Sequence, residues 1–214
     1  MSGRAINGIH LAVTTACDRN CPDCCFGSGQ RPAVHYSWPG YFEQAAKHLY
    51  GIERIRLTGG EPTPHPDFAQ IVEHCKEMFG CKALEIETNG FLARHYERVM
   101  ARFDMIFLSL YGAEGKNGKG TGPGDNRPVV EWLTQNYPTS VFDATQGFTP
   151  RSLRGSGGLC YRGELDIAAY DDGKLYGCCV GPGIPNAPSV PLTPDWREKL
   201  DSLPLPCRDC WYSP

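Results

Sequence analysis

Apolar residues along the first two-thirds of the chain follow two spacings, one typical of strands and one typical of helices. Short apolar or alternating runs predict strands, and apolar stripes recurring every three to four residues predict helices. The predicted strands are Ile9–Val13, Arg54–Leu57, Ala83–Glu87, Met105–Leu110 and Thr139–Ala144. The predicted helices run from Ser37 to Tyr50, over Asp67–Phe79, from about Phe91 to Phe103, and over Asn126–Asn136.

The order of these elements predicts an α/β fold. Strands that alternate with helices at this interval favour βα units and a parallel sheet. Met105–Leu110 is nearly all apolar, as expected for a strand buried on both faces of such a sheet. Five strands are fewer than the eight of a closed β/α barrel. We therefore predict a partial, open parallel β/α barrel.

The alternation ends near residue 150. Arg151–Gly158 is typical of a linker, and Glu164–Tyr170 with Lys174–Gly177 predicts a β-hairpin that turns at Asp172-Gly173. We predict two domains, a barrel over residues 1–150 and a small cysteine-bearing appendage with this hairpin over residues 151–214. Within the barrel, the glycine-rich segment Gly112–Gly124 is either a flexible surface loop or a lid over a site.

Composition and charge exclude several classes of function. The 214 residues are 41% hydrophobic and 21% charged, with a net charge of −3, as in an ordinary soluble protein. No run of five like charges occurs, so we expect no nucleic-acid partner. No apolar stretch approaches the roughly 20 residues that cross a bilayer, and the first residues make a poor secretory signal. We expect a cytoplasmic monomer without a membrane partner.

Eleven cysteines are the unusual feature of the composition. Clustered cysteines in a reducing compartment are better explained as metal or cluster ligands than as disulfides. Nine of them form two groups, with Cys17, Cys21, Cys24 and Cys25 near the start and Cys160, Cys178, Cys179, Cys207 and Cys210 near the end, and only Cys75 and Cys81 lie between. Cys75 lies on the apolar face of a predicted helix, where a core position is the better interpretation.

Cys17, Cys21 and Cys24 form a C-x3-C-x2-C array directly after the first predicted strand. Three thiolates in one short loop can bind three irons of a cubane and leave the fourth without a protein ligand. An open position of this kind distinguishes a catalytic metal centre from a structural one. The alternative is a zinc ribbon, in which Cys21 and Cys24 pair with Cys207 and Cys210.

This array resembles the signature of the radical S-adenosylmethionine (radical SAM) superfamily, in which three cysteines hold a 4Fe–4S cluster whose open iron is chelated by S-adenosylmethionine. The superfamily usually has an aromatic residue just before the third cysteine, where this chain has Asp23. The resemblance continues at the end of the second predicted strand, where Gly59, Gly60, Glu61 and Pro62 are similar to the motif that contacts the methionine amino group. Thr88, Asn89 and Ser109 end the next two strands and resemble positions that reach the ribose and carboxylate of the cofactor.

The late cysteines carry a second resemblance. Cys160, Gly173, Cys178 and the pair Cys207 and Cys210 are spaced as in the twitch domain, a shortened SPASM domain that binds an auxiliary 4Fe–4S cluster in some radical SAM enzymes. The glycine spacing favours Cys178 over Cys179 as a ligand. A zinc site on the same four cysteines remains an alternative.

These resemblances imply a reaction class. One electron from the first cluster, supplied by a donor such as flavodoxin or ferredoxin, cleaves S-adenosylmethionine to methionine and a 5′-deoxyadenosyl radical, which abstracts a substrate hydrogen atom. The auxiliary cluster accepts the substrate radical's electron, which makes the net reaction a dehydrogenation. We expect a small-molecule substrate, with maturation of a ribosomally made peptide as the rival and a non-catalytic iron–sulfur or zinc module as the alternative of another class. The sequence does not identify the substrate.

Overall fold

The computed structural model describes residues 6–19, 21, 24, 26–109, 125–143, 167–178, 181–184 and 186–203. Their strands are β1 Gly8–Thr14, β2 Arg54–Gly59, β3 Ala83–Thr88, β4 Met105–Leu108, β5 Val141–Asp143, β6 Ile167–Asp171, β7 Lys174–Tyr176 and β8 Ser189–Pro191. Their α-helices are α1 Gly40–Leu49, α2 Phe68–Phe79, α3 Glu97–Met100, α4 Arg127–Asn136 and α5 Trp196–Asp201. Among the described residues, no helix is long and apolar enough to span a membrane.

The strands form one open sheet in the order β5-β4-β3-β2-β1-β6-β7-β8. Every pairing from β5 to β6 is parallel, and only β6–β7 and β7–β8 are antiparallel. The predicted α/β fold with an open, mostly parallel sheet is therefore confirmed. The carboxyl ends of β1 to β4 lie at the same edge of this sheet, because parallel neighbours run in the same direction.

The two faces of the sheet differ in polarity. Ile9, Leu11 and Leu57 belong to one buried apolar cluster together with residues of α1 and α2. Side chains on the other face alternate with these and are largely polar, since successive residues of a strand point to opposite faces. On that face the Arg56 guanidinium pairs with the Glu85 carboxylate at 2.7 Å. One covered face and one polar face fit an open barrel.

Helix α2 matches its prediction. Its apolar side chains are buried, and Gly80 ends it with a left-handed φ of 59° while its N–H donates to the Glu77 and Lys76 carbonyls. Helix α1 begins at Gly40, three residues after the predicted start at Ser37, because the residue before Pro39 is disfavoured in helical conformation.

Two predictions on the next segment are wrong. The helix expected from Phe91 is a series of turns as far as Tyr96, and only Glu97–Met100 is helical, so Leu92 is exposed instead of buried. Strand β4 is buried on one face only, since Ile106 and Leu108 are buried while Met105 and Phe107 are half-buried. Phe107 is on the polar face, where the Arg56 guanidinium carbon lies 3.4 Å from its ring centroid.

The predicted hairpin is confirmed as β6 and β7. Asp172 and Gly173 both have positive φ, at 48° and 76°, as a two-residue turn of this twist requires. Strand β6 also pairs in parallel with β1, from Gly8 opposite Ile167 to Leu11 opposite Tyr170. The hairpin therefore extends the barrel sheet beyond β1. The division of the chain at residue 150 stays a prediction.

Strands β1 and β2 approach each other closely where they end. The Gly60 N–H donates to the Thr14 carbonyl and the Glu61 N–H donates to the Ala16 carbonyl, both at 2.8 Å. A Cβ on Gly59 would stand 2.1 Å from the Thr14 oxygen, and one on Gly60 would stand 1.9 Å from the Ala16 oxygen. Both glycines are thus required by contact with backbone of the same chain, independently of any ligand.

We predict that Gly60→Ala lowers the free energy of unfolding by about 2–3 kcal/mol, because the new methyl group meets backbone that cannot rotate away. Gly40→Ala is the matched control, since a Cβ there meets only the Ser37 hydroxyl at 3.6 Å. Urea unfolding of both variants measures the difference. Equal stability of the two variants would contradict the close approach of β1 and β2.

Candidate active site

The predicted site residues of the barrel meet at the carboxyl edge of the sheet. Cys17 follows β1, Glu61 and Pro62 follow β2, and Asn89 follows β3. Ser109 follows β4, and its N–H donates to the Thr88 carbonyl at 3.0 Å. This edge is where parallel α/β sheets bind their ligands.

The Glu61 carboxylate connects the ends of β2 and β3. Its Oε1 accepts hydrogen bonds from the Thr63 N–H at 3.2 Å, the Thr63 hydroxyl at 2.7 Å and the Thr88 hydroxyl at 2.6 Å. Its Oε2 accepts one from the Asn89 N–H at 2.7 Å. Glu61 is only 2% exposed, so these four donors replace water. We call these contacts the Glu61 network.

Burial raises the pKa of the Glu61 carboxyl above its usual value, although the four hydrogen bonds favour the charged form. Three of the four donors reach Oε1 and one reaches Oε2. The structure thus gives Glu61 a role inside the chain that its sequence motif did not indicate. Its contact with the methionine amino group stays a prediction.

The cysteine loop, defined as residues 17–31, is attached to the end of β3. The Asp18 carboxylate accepts a hydrogen bond from the Asn89 side-chain amide at 2.7 Å. The Arg19 guanidinium lies 4.8 Å above the Phe91 ring, a distance typical of cation–π contacts. Asn89 therefore contacts the loop with its side chain and the Glu61 network with its backbone.

The chain that returns from the cysteine loop is attached to the end of β1. The Thr14 hydroxyl donates to the Val34 carbonyl at 2.7 Å, and the Thr15 hydroxyl donates to the Pro32 carbonyl at 2.6 Å. The Tyr36 N–H donates to the Val13 carbonyl at 3.1 Å. The segment that follows the loop is thus bonded back to the end of the strand that precedes it.

The thiols of the loop fit a cubane cluster. Cys17, Cys21 and Cys24 are half-buried and none is in a disulfide. Burial raises the pKa of the Cys17 thiol to about 12, and Cys24 is among the nearby groups that disfavour a second negative charge. A bound metal centre offsets such a cost, since it binds the thiolate form.

The described part of the chain shows no ready-made site for a single metal ion at these thiols. Among the described residues, no three His, Cys, Asp or Glu side chains converge as ligands of one ion would. A cubane distributes its thiolates over three irons, so its ligands lie farther apart. The assignment of Cys17, Cys21 and Cys24 to a cluster stays a prediction that this arrangement allows.

The sequence interpretation missed a structural role for Asn126, which it treated only as a helix start. Asn126 is fully buried, and its side-chain amide donates to the Asn89 carbonyl at 2.6 Å and to the Ser109 carbonyl at 2.8 Å. It thereby joins the start of α4 to the ends of β3 and β4. An asparagine at a helix start is a common cap, so its sequence position gave no signal of this role.

The second predicted cluster site lies mostly outside the described residues. Cys178 is half-buried just after β7, and its carbonyl accepts a hydrogen bond from the Gly181 N–H at 3.0 Å. Cys160, Cys207 and Cys210 fall in segments that the structure does not describe. The auxiliary 4Fe–4S cluster and the choice of Cys178 over Cys179 stay predictions.

Residues 11–134 match the family model of the Radical SAM superfamily, which is more than half of the chain. The chain therefore belongs to the radical SAM superfamily. Membership implies a 4Fe–4S cluster and S-adenosylmethionine as cofactors.

Curated relatives share part of this region. The GTP 3′,8-cyclase of Mannheimia succiniciproducens is 36% identical over 87 residues, which are 39% of this chain and 26% of that protein. A probable GTP 3′,8-cyclase of Saccharolobus islandicus is 30% identical over 113 residues, which are 51% of this chain and 36% of that protein. The chain thus spans about a quarter to a third of the length of these relatives.

Solved structures share the fold. BtrN in complex with AdoMet and 2-DOIA matches with a TM-score of 0.57 at 15% identity, over 81% of this chain and 73% of that one. SuiB of Streptococcus suis bound to the precursor peptide SuiA matches with a TM-score of 0.50 at 19% identity, over 60% of this chain and 30% of that one. At these identities the likeness shows a common fold.

We predict that Glu61→Gln lowers the free energy of unfolding of the metal-free protein by about 1–3 kcal/mol, because the amide nitrogen must face donors that the carboxylate accepts from. Glu77→Gln is the matched control, since Glu77 is exposed on α2 and should change stability by less than about 0.5 kcal/mol. Denaturant titration of both variants measures the effect. A Glu61→Gln variant as stable as the control would show that the Glu61 network does not hold the strand ends.

Proposed function

We propose that this chain is a radical SAM enzyme whose 4Fe–4S cluster is held by Cys17, Cys21 and Cys24, and that it removes hydrogen from a small polar substrate. We further propose that Cys160, Cys178, Cys207 and Cys210 hold an auxiliary 4Fe–4S cluster, which makes the net reaction a two-electron oxidation. Flavodoxin or ferredoxin is the class of electron donor that this chemistry requires.

One observation carries the first part of the proposal. The cysteine loop is bonded to the ends of β1 and β3, beside the Glu61 network that joins β2 to β3. A structural zinc knuckle needs only four ligands and a short turn. A loop held at two strand ends, beside a network that joins a third, is what an enzyme needs to hold a reactive centre over a binding site.

The chain's own residues hold and orient the reactants. When bound, the cluster supplies the electron that cleaves S-adenosylmethionine to methionine and a 5′-deoxyadenosyl radical. Ser109 would offer a polar group at the strand ends to that cofactor. The Thr88 hydroxyl and the Asn89 side chain take part in hydrogen bonds within the chain. Because Asn89 bonds to both the cysteine loop and Glu61, its part would be to hold that loop beside the end of β2.

The polar face of the sheet favours a small polar substrate. His10 on β1 lies 3.9 Å from the Glu87 carboxylate on β3, and Glu87 is close to the carboxyl end of its strand. Arg56 and Glu85 form an ion pair on the same face. Charged and hydrogen-bonding groups of this kind suit hydroxyl or amino groups better than an apolar side chain.

The fold comparisons support the same preference. The likeness to BtrN, solved with 2-DOIA, extends over 81% of the chain, whereas the likeness to peptide-bound SuiB extends over 60%. Maturation of a peptide is the second candidate, and a precursor-peptide gene beside this one would favour it. The similarity to GTP 3′,8-cyclases covers only about a quarter to a third of those proteins, so it supports common cofactor chemistry without indicating GTP as the substrate.

We expect the anaerobically reconstituted protein to contain about eight irons and eight sulfides per chain and to release 5′-deoxyadenosine from S-adenosylmethionine under dithionite. Cys17→Ala should abolish that product, because it removes one of three ligands of the first cluster. Cys178→Ala should lower the iron to about four per chain and keep the product. Iron and sulfide assays with chromatography of the nucleoside measure these results.

Cys75→Ala is the control for the cysteine variants, because Cys75 is a fully buried member of the core and stands apart from both cysteine groups. It should keep both the iron content and the product. Zinc without sulfide in the wild-type protein, or full product formation by Cys17→Ala, would contradict the proposed function.

A further inference from the structure

A buried carboxylate joins the cysteine loop to the C-terminal hairpin. Asp171 ends β6 and is only 1% exposed. Its Oδ2 pairs with the Arg31 guanidinium at 2.5 Å, and its Oδ1 accepts a hydrogen bond from the Tyr36 hydroxyl at 2.6 Å. We call these two contacts the Asp171 bridge.

The two ends of the Asp171 bridge belong to different cysteine sites. Arg31 is the last residue of the cysteine loop and Tyr36 lies on the return segment, which bonds back to β1. Asp171 precedes the turn of the hairpin, and Cys178 follows the second strand of that hairpin. A rigid connection at Asp171 therefore relates the position of the cysteine loop to that of the hairpin and Cys178.

A second contact lies beside the bridge. An added Cβ on Gly27 of the cysteine loop would stand 3.8 Å from the backbone of Gly183, so these two segments are close neighbours. Gly183 is in the short turn that follows Cys178, and Gly181 of that turn bonds to the Cys178 carbonyl. The loop thus lies beside the turn that holds Cys178.

The contacts of the Asp171 bridge favour a rigid connection between the two segments. Both carboxylate oxygens of Asp171 have partners inside the protein, and removal of Arg31 would leave a buried charge without its counter-ion. Tyr36 is held on its other side by its ring, which stacks on Tyr41 at 4.3 Å. Burial raises the pKa of the Tyr36 hydroxyl, which therefore remains a donor to Asp171.

We propose that Asp171 is a positioning residue that sets the cysteine loop relative to the hairpin carrying Cys178, and so couples the two cysteine sites. The coupling of clusters rests on the proposed function, whereas the coupling of the two segments does not. Neither Asp171 nor its partners touches the reacting atoms in this account. Asp171 acts through the loop that it holds.

Hydrogen exchange of the metal-free protein tests the coupling of the segments. Asp171→Asn should speed exchange by about tenfold or more both in the return segment around residues 32–36 and in the hairpin around residues 174–184, because it removes a charge-assisted contact from both. Asp172→Asn is the matched control, since Asp172 is exposed in the turn with a positive φ that asparagine tolerates. It should exchange as the wild-type protein does.

Electron paramagnetic resonance of the reconstituted, reduced protein tests whether the position matters to the first cluster. Addition of S-adenosylmethionine should shift the spectrum of Asp171→Asn differently from that of the wild type and of Asp172→Asn. Asp171→Glu, which keeps the carboxylate, should restore part of the wild-type spectrum. Tyr36→Phe keeps the ion pair and the ring stack, so it provides a milder variant if Asp171→Asn does not fold.

The outcomes separate the two proposals. Wild-type exchange in both segments of Asp171→Asn, or faster exchange in only one of them, overturns the coupling. Faster exchange in both segments with an unchanged spectral response shows a purely structural contact and overturns the positioning role. A wild-type protein that binds no iron–sulfur cluster overturns the proposed function, and the exchange result then still decides whether the segments are coupled.

Discussion

A single buried carboxylate, that of Glu61, is the interaction on which the site depends. Burial raises the pKa of this carboxyl, and the donors of Thr63, Thr88 and Asn89 oppose that effect because they favour the charged form. Those donors come from the segments that end two neighbouring strands. The hydrogen bonds of one side chain therefore hold β2 and β3 together at the edge where we propose that the cofactor binds. Strand β1 is held against β2 by the close approach of the Gly60 and Ala16 backbones.

The cysteine loop is held by its neighbours at several points, with hydrogen bonds at the ends of β1 and β3 and an ion pair at the end of β6. Several attachment points suit a loop that is proposed to hold a reactive centre, because a small displacement of a reacting atom lowers the reaction rate. The ion pair at the end of β6 depends on the extension of the barrel sheet by the hairpin. Parallel pairing of β6 with β1 brings Asp171 to the same edge as the cysteine loop.

Much of the fold could be predicted because its cause is local. The apolar stripe and Gly80 defined α2, and Asp172-Gly173 defined the hairpin turn. Parallel pairing of β6 with β1 was not predictable, because the periodicity of a strand does not indicate which other strand it pairs with. The same limit applies to the site: the strand-end motif indicated Glu61, but the donors that occupy its oxygens come from residues distant in sequence. Asp171 carried no local signal for the same reason.

We propose that the cysteine loop holds a catalytic cluster over strand ends that are already in place. An anaerobic crystal structure of the reconstituted protein with S-adenosylmethionine tests it most directly. The account predicts a 4Fe–4S cluster bonded to Cys17, Cys21 and Cys24, with S-adenosylmethionine at its fourth iron and Glu61 still bonded to Thr88 and Asn89. A zinc ion bound by Cys21, Cys24, Cys207 and Cys210, or a Glu61 carboxylate released from both partners, would contradict it.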